Sequence, residues 1–332
     1  MNLLELRGVS VKFRQSGMPI REIPAVVDVD FTIGENEMLG LVGESGCGKT
    51  TLGRAILRLV PLAAGEVHWR GRRIDRLRQR TFRPLRRELQ YVFQDPTASL
   101  DPRMTLIESV AEPLRALDPG SGAGERAGRA QVQLDEVGIE RDLAERYPHQ
   151  LSGGQLQRAV IARALIVNPR FVVCDEPVSA LDVSVQGQII GLLERIRDER
   201  GLASLFISHN LAVVARLCER VMVMFRGRIV EAARRGALIE SPLHPYTREL
   251  LDAVPTMDAG ARMRTLGRAA RPRPAVDAPG SPAGCPFAAR CPHVLLRCLT
   301  ERPPLQAAGD SRLVACHRAG EWPGGLPPLT SA

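Results

Sequence analysis

The chain has 332 residues, which is enough for one large domain with an appendage or for two modest domains. Hydrophobic residues at 44% and charged residues at 25% are ordinary globular values, and Arg, Asp or Glu interrupts every long apolar stretch, so no membrane-spanning helix is predicted. The net charge is +8, and almost all of the positive charge is supplied by arginines scattered along the chain. This distribution favours compositional bias over a nucleic-acid-binding groove.

The start of the chain, residues 1–14, carries Glu5 and Arg7 among its leucines. It has neither an apolar h-region nor a small-residue cleavage site, so the sequence predicts no export signal. We therefore expect a cytosolic protein that does not itself cross a membrane and does not bind nucleic acid.

Short apolar runs that alternate with helical stretches predict a largely parallel α/β sheet. The run 38–42 ends in a glycine-rich turn, and residues 49–60 then have the apolar spacing of a helix. This order is a strand, a loop and a helix. Further strands are predicted at 89–93, 171–174, 203–207 and 221–225.

The main domain is predicted to span residues 1–254 and to contain a helical insertion. Residues 96–155 have helical periodicity and no convincing strand, so we interpret them as that insertion. Residues 255–332 begin as a proline-rich linker poor in regular structure and end in a small tail that carries cysteines. The linker prolines are Pro255, Pro272, Pro274, Pro279 and Pro282.

Residues 43–50 fit a phosphate-loop pattern, in which glycines let backbone N–H groups turn inward around phosphates at the start of a helix. We expect Lys49 to reach the β and γ phosphates of ATP and Thr50 to bind Mg²⁺. Lys12 and Lys49 are the only lysines in the chain, and a compact ammonium group suits this position. The loop consists of Gly43, Glu44, Ser45, Gly46, Cys47, Gly48, Lys49 and Thr50, with Thr51 after it.

Two carboxylates follow the apolar run 171–174. A nucleotide site needs one carboxylate for the metal and one group that orients the attacking water. We expect the predicted strand to deliver Asp175 to the phosphate loop as a metal ligand, and Glu176 to act on the water. A surface pair is the alternative, but carboxylates at the end of an apolar strand are costly to place.

At this point the chain resembles a known family, the ABC ATPases. The sequence Leu-Ser-Gly-Gly-Gln at 151–155 is similar to the family signature, and 179–182 is similar to its D-loop. Gln94 matches the Q-loop glutamine and His209 the switch histidine. The aromatic residue that stacks on adenine would be Phe13, for which a core position is the alternative.

The resemblance covers residues 1–254 and implies an α/β fold of the P-loop NTPase class, an ABC cassette with a mostly parallel sheet, a helical subdomain and a small cysteine-bearing C-terminal extension. It also implies that ATP bound by the phosphate loop of one subunit is enclosed by the signature of a second cassette. Ser152 and Gly153 would then contact nucleotide bound by the partner. The implied roles are catalysis for Lys49, Glu176 and His209, nucleotide contact for Ser152, Gly153, Gly154, Gln155 and Asp182, and Mg²⁺ binding for Thr50, Gln94 and Asp175.

Finer features resemble the subfamily that serves oligopeptide, dipeptide and nickel importers. These are the stretches 93–96, 99–103 and 244–247, and the stretch 52–55 is more similar to the second ATPase subunit, the F subunit, than to the D subunit. The resemblance implies a peptide importer with two membrane permeases, a second cassette and an extracytoplasmic binding protein, and a peripheral place on the cytoplasmic face of the membrane. A nickel importer and a soluble ABC ATPase in DNA repair or translation are the alternatives.

The tail concentrates cysteine among short proline-rich turns that are too small for a substantial core. Disulfides are disfavoured because no export signal is predicted and the cytosol keeps thiols reduced. Zinc would suit thiolates, alone or with His293 or His317, but the tight Cys-x-x-Cys spacing is missing. The tail resembles the C-terminal region of peptide-importer ATPases, which implies a [4Fe-4S] cluster as occupant. The cysteines concerned are Cys285, Cys291, Cys298 and Cys316.

Overall fold

The computed structural model describes residues 2–15, 21–253, 283–309 and 311–321. The chain divides into two compact units. Unit 1 consists of Met1–Val11, Asp30–Leu39 and Thr50–Ser208, and unit 2 consists of Lys12–Val29, Gly40–Lys49 and His209–Ala332. The linker predicted for 255–282 lies outside the described residues.

The described strands and helices alternate over much of the chain. The strands are β1 Asn2–Gln15, β2 Arg21–Gly34, β3 Met38–Val42, β4 Ala64–Trp69, β5 Arg72–Arg73, β6 Leu89–Val92, β7 Phe171–Asp175, β8 Ala203–Ser208, β9 Arg220–Phe225, β10 Arg228–Arg234, β11 Gln306–Ala307 and β12 Leu313–Val314. The helices are α1 Lys49–Ile56, α2 Gln79–Phe82, α3 Pro96–Ser99, α4 Leu106–Leu117, α5 Ala123–Glu136, α6 Gly153–Leu165, α7 Val183–Arg200, α8 Leu211–Leu217, α9 Arg235–Glu240, α10 Pro245–Asp252 and α11 Leu296–Thr300. Short 3-10 helices are Arg83–Arg87, Arg141–Leu143, Pro148–Gln150 and Ala319–Glu321.

Unit 1 contains the parallel strands β6, β7 and β8, as the sequence predicts. Leu89 pairs with Phe171, and Phe171 pairs with Ala203. All five residues of β7 are buried, as expected for a parallel strand covered on both faces. The strand extends one residue beyond the prediction, to Asp175, which is in register with Ile207. The carboxyl ends of β7 and β8 therefore lie side by side.

An antiparallel group of strands in unit 1 was not predicted. β1 pairs with β4, with Leu4 opposite Trp69, and β4 pairs with β5. Arg70 and Gly71 form the two-residue turn between β4 and β5, and both have positive φ, 50° and 77°. Such a turn matches the twist of a hairpin.

Residues 96–155, all of which the structure describes, carry helices and no strand. Helix α4 begins at a capping box, in which the Thr105 hydroxyl accepts from the backbone N–H of Glu108 and the Glu108 carboxylate accepts from that of Thr105. Leu106, Val110 and Leu114 are fully buried at helical spacing along α4. This segment therefore has its own apolar packing.

Unit 2 contains an antiparallel pair of strands beside the predicted, largely parallel arrangement. The predicted strand at 221–225 is present as β9, but it pairs antiparallel with β10, with Ile229 opposite Met224. Arg226 and Gly227 connect the two strands with φ of 45° and 80°. A connection this short can form a hairpin, whereas a parallel pair needs a crossover.

The cysteine-bearing tail is part of unit 2. Its strand β12 pairs antiparallel with β10, with Leu313 opposite Ala232, and Val314 is fully buried. The carboxylate of the buried residue Glu231 accepts hydrogen bonds from the backbone N–H groups of Leu243 and His244, at 2.9 Å each, and from Arg312 of the tail at 2.8 Å. A buried carboxylate held by three donors is costly to disrupt, so the tail is anchored to the sheet. Within the described residues, no helix is both long enough and apolar enough to span a membrane.

Candidate nucleotide site

Backbone geometry makes the glycines of the phosphate loop necessary. Gly46 and Gly48 have φ of 78° and 108°, a region that residues with side chains rarely adopt. A Cβ atom on Gly48 would lie 2.2 Å from the carbonyl oxygen of Ala25, and one on Gly43 would lie 2.2 Å from that of Met224. The loop is therefore packed closely against backbone of the same unit.

Lys49 is held in place by its own loop. Its ammonium group donates to the carbonyl oxygens of Gly43 at 2.8 Å and Glu44 at 2.9 Å, and only 4% of the residue is exposed. The pKa of the neighbouring Cys47 thiol is raised by burial, so this cysteine is a packing residue and not a reactive thiolate. The ammonium charge is thus positioned where the loop would receive an anion.

In unit 1, Asp175 joins the hydroxyl groups of two other residues. Its Oδ1 accepts from Thr50 Oγ1 at 3.0 Å, and its Oδ2 accepts from Tyr91 Oη at 2.7 Å. Burial raises the pKa of Asp175, while the two hydroxyl hydrogen bonds oppose this shift. Because burial destabilises the ionised form of this carboxylate, a nearby cation would stabilise it.

These oxygen donors could hold a small divalent cation. Hydroxyl and carboxylate oxygens are hard ligands of the kind that Mg²⁺ prefers. Gln94, the third predicted ligand, donates from Nε2 to Glu176 Oε2 at 3.4 Å. The structure therefore brings Thr50 to Asp175 and Gln94 to Glu176, as pairs within unit 1.

Glu176 has a strained backbone. Its φ is 46°, which is uncommon for a residue other than glycine and is found at functional positions. The conformation is fixed from both sides: the Glu176 N–H donates to the carbonyl of Ile207 at 2.9 Å, and its own carbonyl accepts from Ser179 Oγ at 3.0 Å. A fixed backbone at Glu176 suits the predicted role in orienting water, which stays a prediction.

The signature residues begin helix α6. Ser152 is the N-cap, and it forms a capping box with Gln155, whose side chain accepts from the Ser152 N–H at 2.9 Å. Ser152 and Gly153 are exposed, and a Cβ atom on Gly154 would lie 2.6 Å from Val185. The first N–H groups of this 13-residue helix are thus presented at the surface.

The remaining predicted contacts lie at exposed positions. Asp182 is the N-cap residue of α7 and is exposed. His209 is exposed and directly follows β8. Phe13 lies in β1 with 46% of its surface exposed, so the alternative of a core position is wrong, and contact with adenine stays a prediction.

The sequence analysis missed two tyrosines at the site. Tyr91 is the donor to Asp175, and Tyr246 accepts a hydrogen bond from the Glu44 N–H at 2.8 Å. Tyr246 lies in the 244–247 stretch, and its own N–H donates to Nδ1 of the buried residue His244, whose pKa burial lowers to about 3. The sequence offered one signal for Tyr91: it lies in the strand that directly precedes the predicted functional residue Gln94.

The four tail cysteines are partly or fully buried, and burial raises the pKa of three of them, Cys285, Cys291 and Cys316. Burial raises the pKa of Cys291 to about 12 and that of Cys316 to about 11, and the other thiols nearby add to both shifts. Throughout the described parts of the chain, no group of three or more His, Cys, Asp and Glu side chains is arranged to hold a metal ion. This arrangement does not support the predicted metal site of Cys285, Cys291, Cys298 and Cys316.

Comparison with protein families gives two matches. Residues 26–179 match the family described as ABC transporter, which includes the phosphate loop, the signature and Glu176. Residues 230–298 match the family described as the C-terminal region of oligopeptide/dipeptide transporters, which reaches into the cysteine-bearing tail.

Individual relatives match over nearly their whole length. A putative oligopeptide transport ATP-binding protein of Bacillus subtilis is 44% identical over 300 residues, which cover 90% of this chain and 90% of the relative. A putative peptide import ATP-binding protein of Brucella ovis is 44% identical over 317 residues, 95% of this chain and 98% of the relative. A dimeric ATP-binding cassette solved with ADP and Pi in a post-hydrolysis state has a TM-score of 0.64 and 31% identity, and it covers 70% of this chain and 98% of that cassette.

Proposed function

The chain belongs to the ABC transporter ATP-binding proteins, and on that premise we propose that it is the ATPase subunit of an importer for short peptides. The observation that carries the peptide assignment is the match of residues 230–298 to the C-terminal region of oligopeptide/dipeptide transporters. The relatives named for oligopeptide transport and peptide import support it. The nickel and soluble-ATPase alternatives have no comparable observation in their favour.

The proposed reaction is hydrolysis of the β–γ phosphoanhydride of ATP. Lys49 and the loop N–H groups bind the phosphates, while Glu176 orients a water molecule for attack on the γ phosphorus and accepts a proton from it. The phosphorus–oxygen bond to ADP breaks, and phosphate is released. Mg²⁺ held by Thr50, Asp175 and Gln94 would neutralise charge on the phosphates. His209 is proposed to assist as the switch histidine.

A second cassette completes the proposed site. The exposed N-terminus of α6 suits an anion, since helix N-terminal N–H groups and the dipole attract phosphate. Ser152 and Gly153 would therefore contact ATP held by the partner, with Asp182 at the same dimer interface. We propose a heterodimer in which this chain is the F subunit, a label for the second cassette of the importer that does not refer to rotary ATPases.

The proposed assembly lies on the cytoplasmic face of the cell membrane. There the cassette pair would dock on two permease subunits, and an extracytoplasmic binding protein would deliver the peptide. The absence of a spanning helix among the described residues fits a peripheral subunit. The experiment is purification of the tagged chain from its native membranes. Two permeases and a second cassette should co-purify, whereas recovery of the chain with no integral membrane protein would reject the assignment.

For the tail we propose a [4Fe-4S] cluster on the chemistry of its donor set alone. The thiols of Cys285, Cys291, Cys298 and Cys316 influence one another electrostatically, and backbone N–H groups hydrogen-bond to all four, as they do to iron–sulfur thiolates. Anaerobic purification with iron and sulfide analysis tests it; stoichiometric zinc without iron, or no metal, would reject it.

A further inference from the structure

A tail arginine contacts the phosphate loop. Arg290 donates from both terminal nitrogens to the Glu44 carboxylate, at 2.8 Å and 2.7 Å, and from Nη2 to Glu249 at 2.7 Å. The first contact is the bidentate geometry that makes arginine–carboxylate pairs specific. Glu44 is the second residue of the loop, so residues far apart in sequence are joined at the site of phosphate binding.

Aromatic rings surround the Arg290 guanidinium group. Its Cζ lies 5.5 to 5.8 Å from the ring centroids of Phe225, Tyr246 and Phe287, within the range of cation–π attraction. The Arg290 side chain is 14% exposed, although that of Glu44 is 44% exposed. The aromatic rings limit both the mobility of the guanidinium and its access to water, which makes the pair stronger than an ordinary surface ion pair.

The tail positions Arg290 through its own turns and one buried ring. The Arg290 N–H donates to the carbonyl of Phe287 at 3.0 Å, and the Cys285 N–H donates to that of Cys298 at 2.8 Å. Phe287 is 2% exposed and meets Phe225 edge-on, with ring centroids 5.3 Å apart. The arginine is therefore carried by an anchored segment and not by a free tail.

Glu44 is fixed at three points. Arg290 binds its side chain, Tyr246 Oη accepts from its N–H at 2.8 Å, and its carbonyl accepts from Lys49 Nζ at 2.9 Å. Through Glu44, the tail thus reaches the residue that bears the loop's positive charge. A loop held in its binding conformation loses less entropy when a ligand binds.

We propose that Arg290 is a positioning residue for nucleotide, by which the cysteine-bearing tail clamps the phosphate loop in its binding conformation. Two effects follow from the geometry. The clamp preorganises the loop, and its positive charge offsets the carboxylates of Glu44 and Glu249, which would otherwise repel the phosphates of ATP. Arg290 does not contact the reacting atoms in this role, so it affects nucleotide affinity and not the chemical step.

The test is MgATP titration of the full-length chain by calorimetry, with the variants Arg290→Ala and Arg290→Lys. Because charge-assisted hydrogen bonds are strong, we expect Arg290→Ala to weaken affinity by roughly tenfold and Arg290→Lys, which cannot bind bidentately, by roughly threefold. Part of the loss should disappear at high salt, which screens the repulsion. The control Arg318→Ala removes another tail ion pair, with Glu321, and should leave affinity unchanged.

Two further measurements separate positioning from a merely structural role. In the double variant Glu44→Gln with Arg290→Ala, the loss of affinity should be smaller than the sum of the single losses, because both act through one contact. In the assembled complex, Arg290→Ala should raise KM for ATP with kcat within about twofold of wild type. Unchanged affinity in Arg290→Ala, equal losses in Arg318→Ala, or strictly additive losses in the double variant would each overturn the proposal.

Discussion

Replacing Tyr91 with phenylalanine tests the buried carboxylate at the end of β7. The change removes the 2.7 Å hydrogen bond to Asp175 but keeps the aromatic ring, which packs 4.5 Å from that of Phe93. Tyr91 is 8% and Asp175 1% exposed, so water cannot readily replace the hydroxyl. A hydrogen bond to an ionised group contributes about 1.5–3 kcal/mol, and we expect the free energy of unfolding of the variant to fall by about that amount at pH 8.

The loss should depend on pH with a defined sign. Burial raises the pKa of Asp175, and the Tyr91 hydrogen bond lowers it, so the variant has a still higher pKa. As the pH rises through the pKa values of Asp175 in the two proteins, ionised Asp175 therefore destabilises the variant more than the wild type. Toward the ordinary aspartate pKa of about 3.9, Asp175 is protonated in both proteins and the difference shrinks.

Thermal unfolding of the nucleotide-free chain at pH 5 and pH 8 measures both effects. Because a loss of 1 kcal/mol lowers the midpoint of a unit of this size by about 2–4 °C, we expect a fall of roughly 3–12 °C at pH 8 and less at pH 5. The control is Tyr147→Phe, which changes a 41% exposed tyrosine and should have little effect. An equal fall in the two variants, or a fall independent of pH, would refute the claim that the Tyr91 hydroxyl stabilises ionised Asp175.

Three further changes test the nucleotide site. Glu176→Gln should keep ATP binding but slow hydrolysis in the assembled complex by orders of magnitude, as expected when a positioned base is lost, and hydrolysis near the wild-type rate would contradict this role. Lys49→Ala should weaken ATP binding by the isolated chain whereas Ser152→Arg should not, and equal losses in a titration would mean that the signature contacts the chain's own nucleotide. Gly48→Ala should impair nucleotide binding because its Cβ atom would lie 2.2 Å from a backbone oxygen; Gly236→Ala, at an open position, is the control, and wild-type binding by Gly48→Ala would contradict the loop geometry.

Local sequence patterns were sufficient for the central elements. The run 38–42 is the strand Met38–Val42, and the apolar run before Asp175 is the buried strand β7. In both places a short, fully buried strand is followed by a characteristic polar or glycine-rich segment. A buried parallel strand and a phosphate loop each have a sequence pattern only a few residues long, and for this reason both could be predicted from the sequence.

Elements that depend on distant partners could not be predicted in this way. Strands β1 and β4 contain no long apolar run, because half-buried polar residues separate their buried ones, as Glu5 separates Leu4 from Leu6 and His68 separates Val67 from Trp69. The helix predicted for 49–60 ends at Ile56, and Arg58 has a positive φ of 56° that ends regular helix. Antiparallel pairing of β9 with β10 follows from a turn whose residue at the first position, Arg226, gives no turn signal.

The missed contacts at the site share one physical feature. Tyr91 meets Asp175 across 84 residues, Tyr246 meets Glu44 across 202, and Arg290 meets Glu44 across 246. For a tyrosine in an apolar strand, or an arginine among 45 basic residues, the local sequence does not indicate which residue the side chain contacts. Such contacts are set by the packing of the whole unit and appear only once the chain is folded.

In the proposed function, ATP hydrolysis by this chain drives peptide import through permease partners. The most direct measurement is uptake of labelled dipeptides and oligopeptides by vesicles that contain the complex purified from native membranes, its binding protein outside, and ATP on the cassette side. Wild-type complex should accumulate peptide only with ATP, and complex with Lys49→Ala should not. Peptide uptake that persists with Lys49→Ala, or ATP-driven uptake of nickel with no uptake of any peptide, would contradict the account.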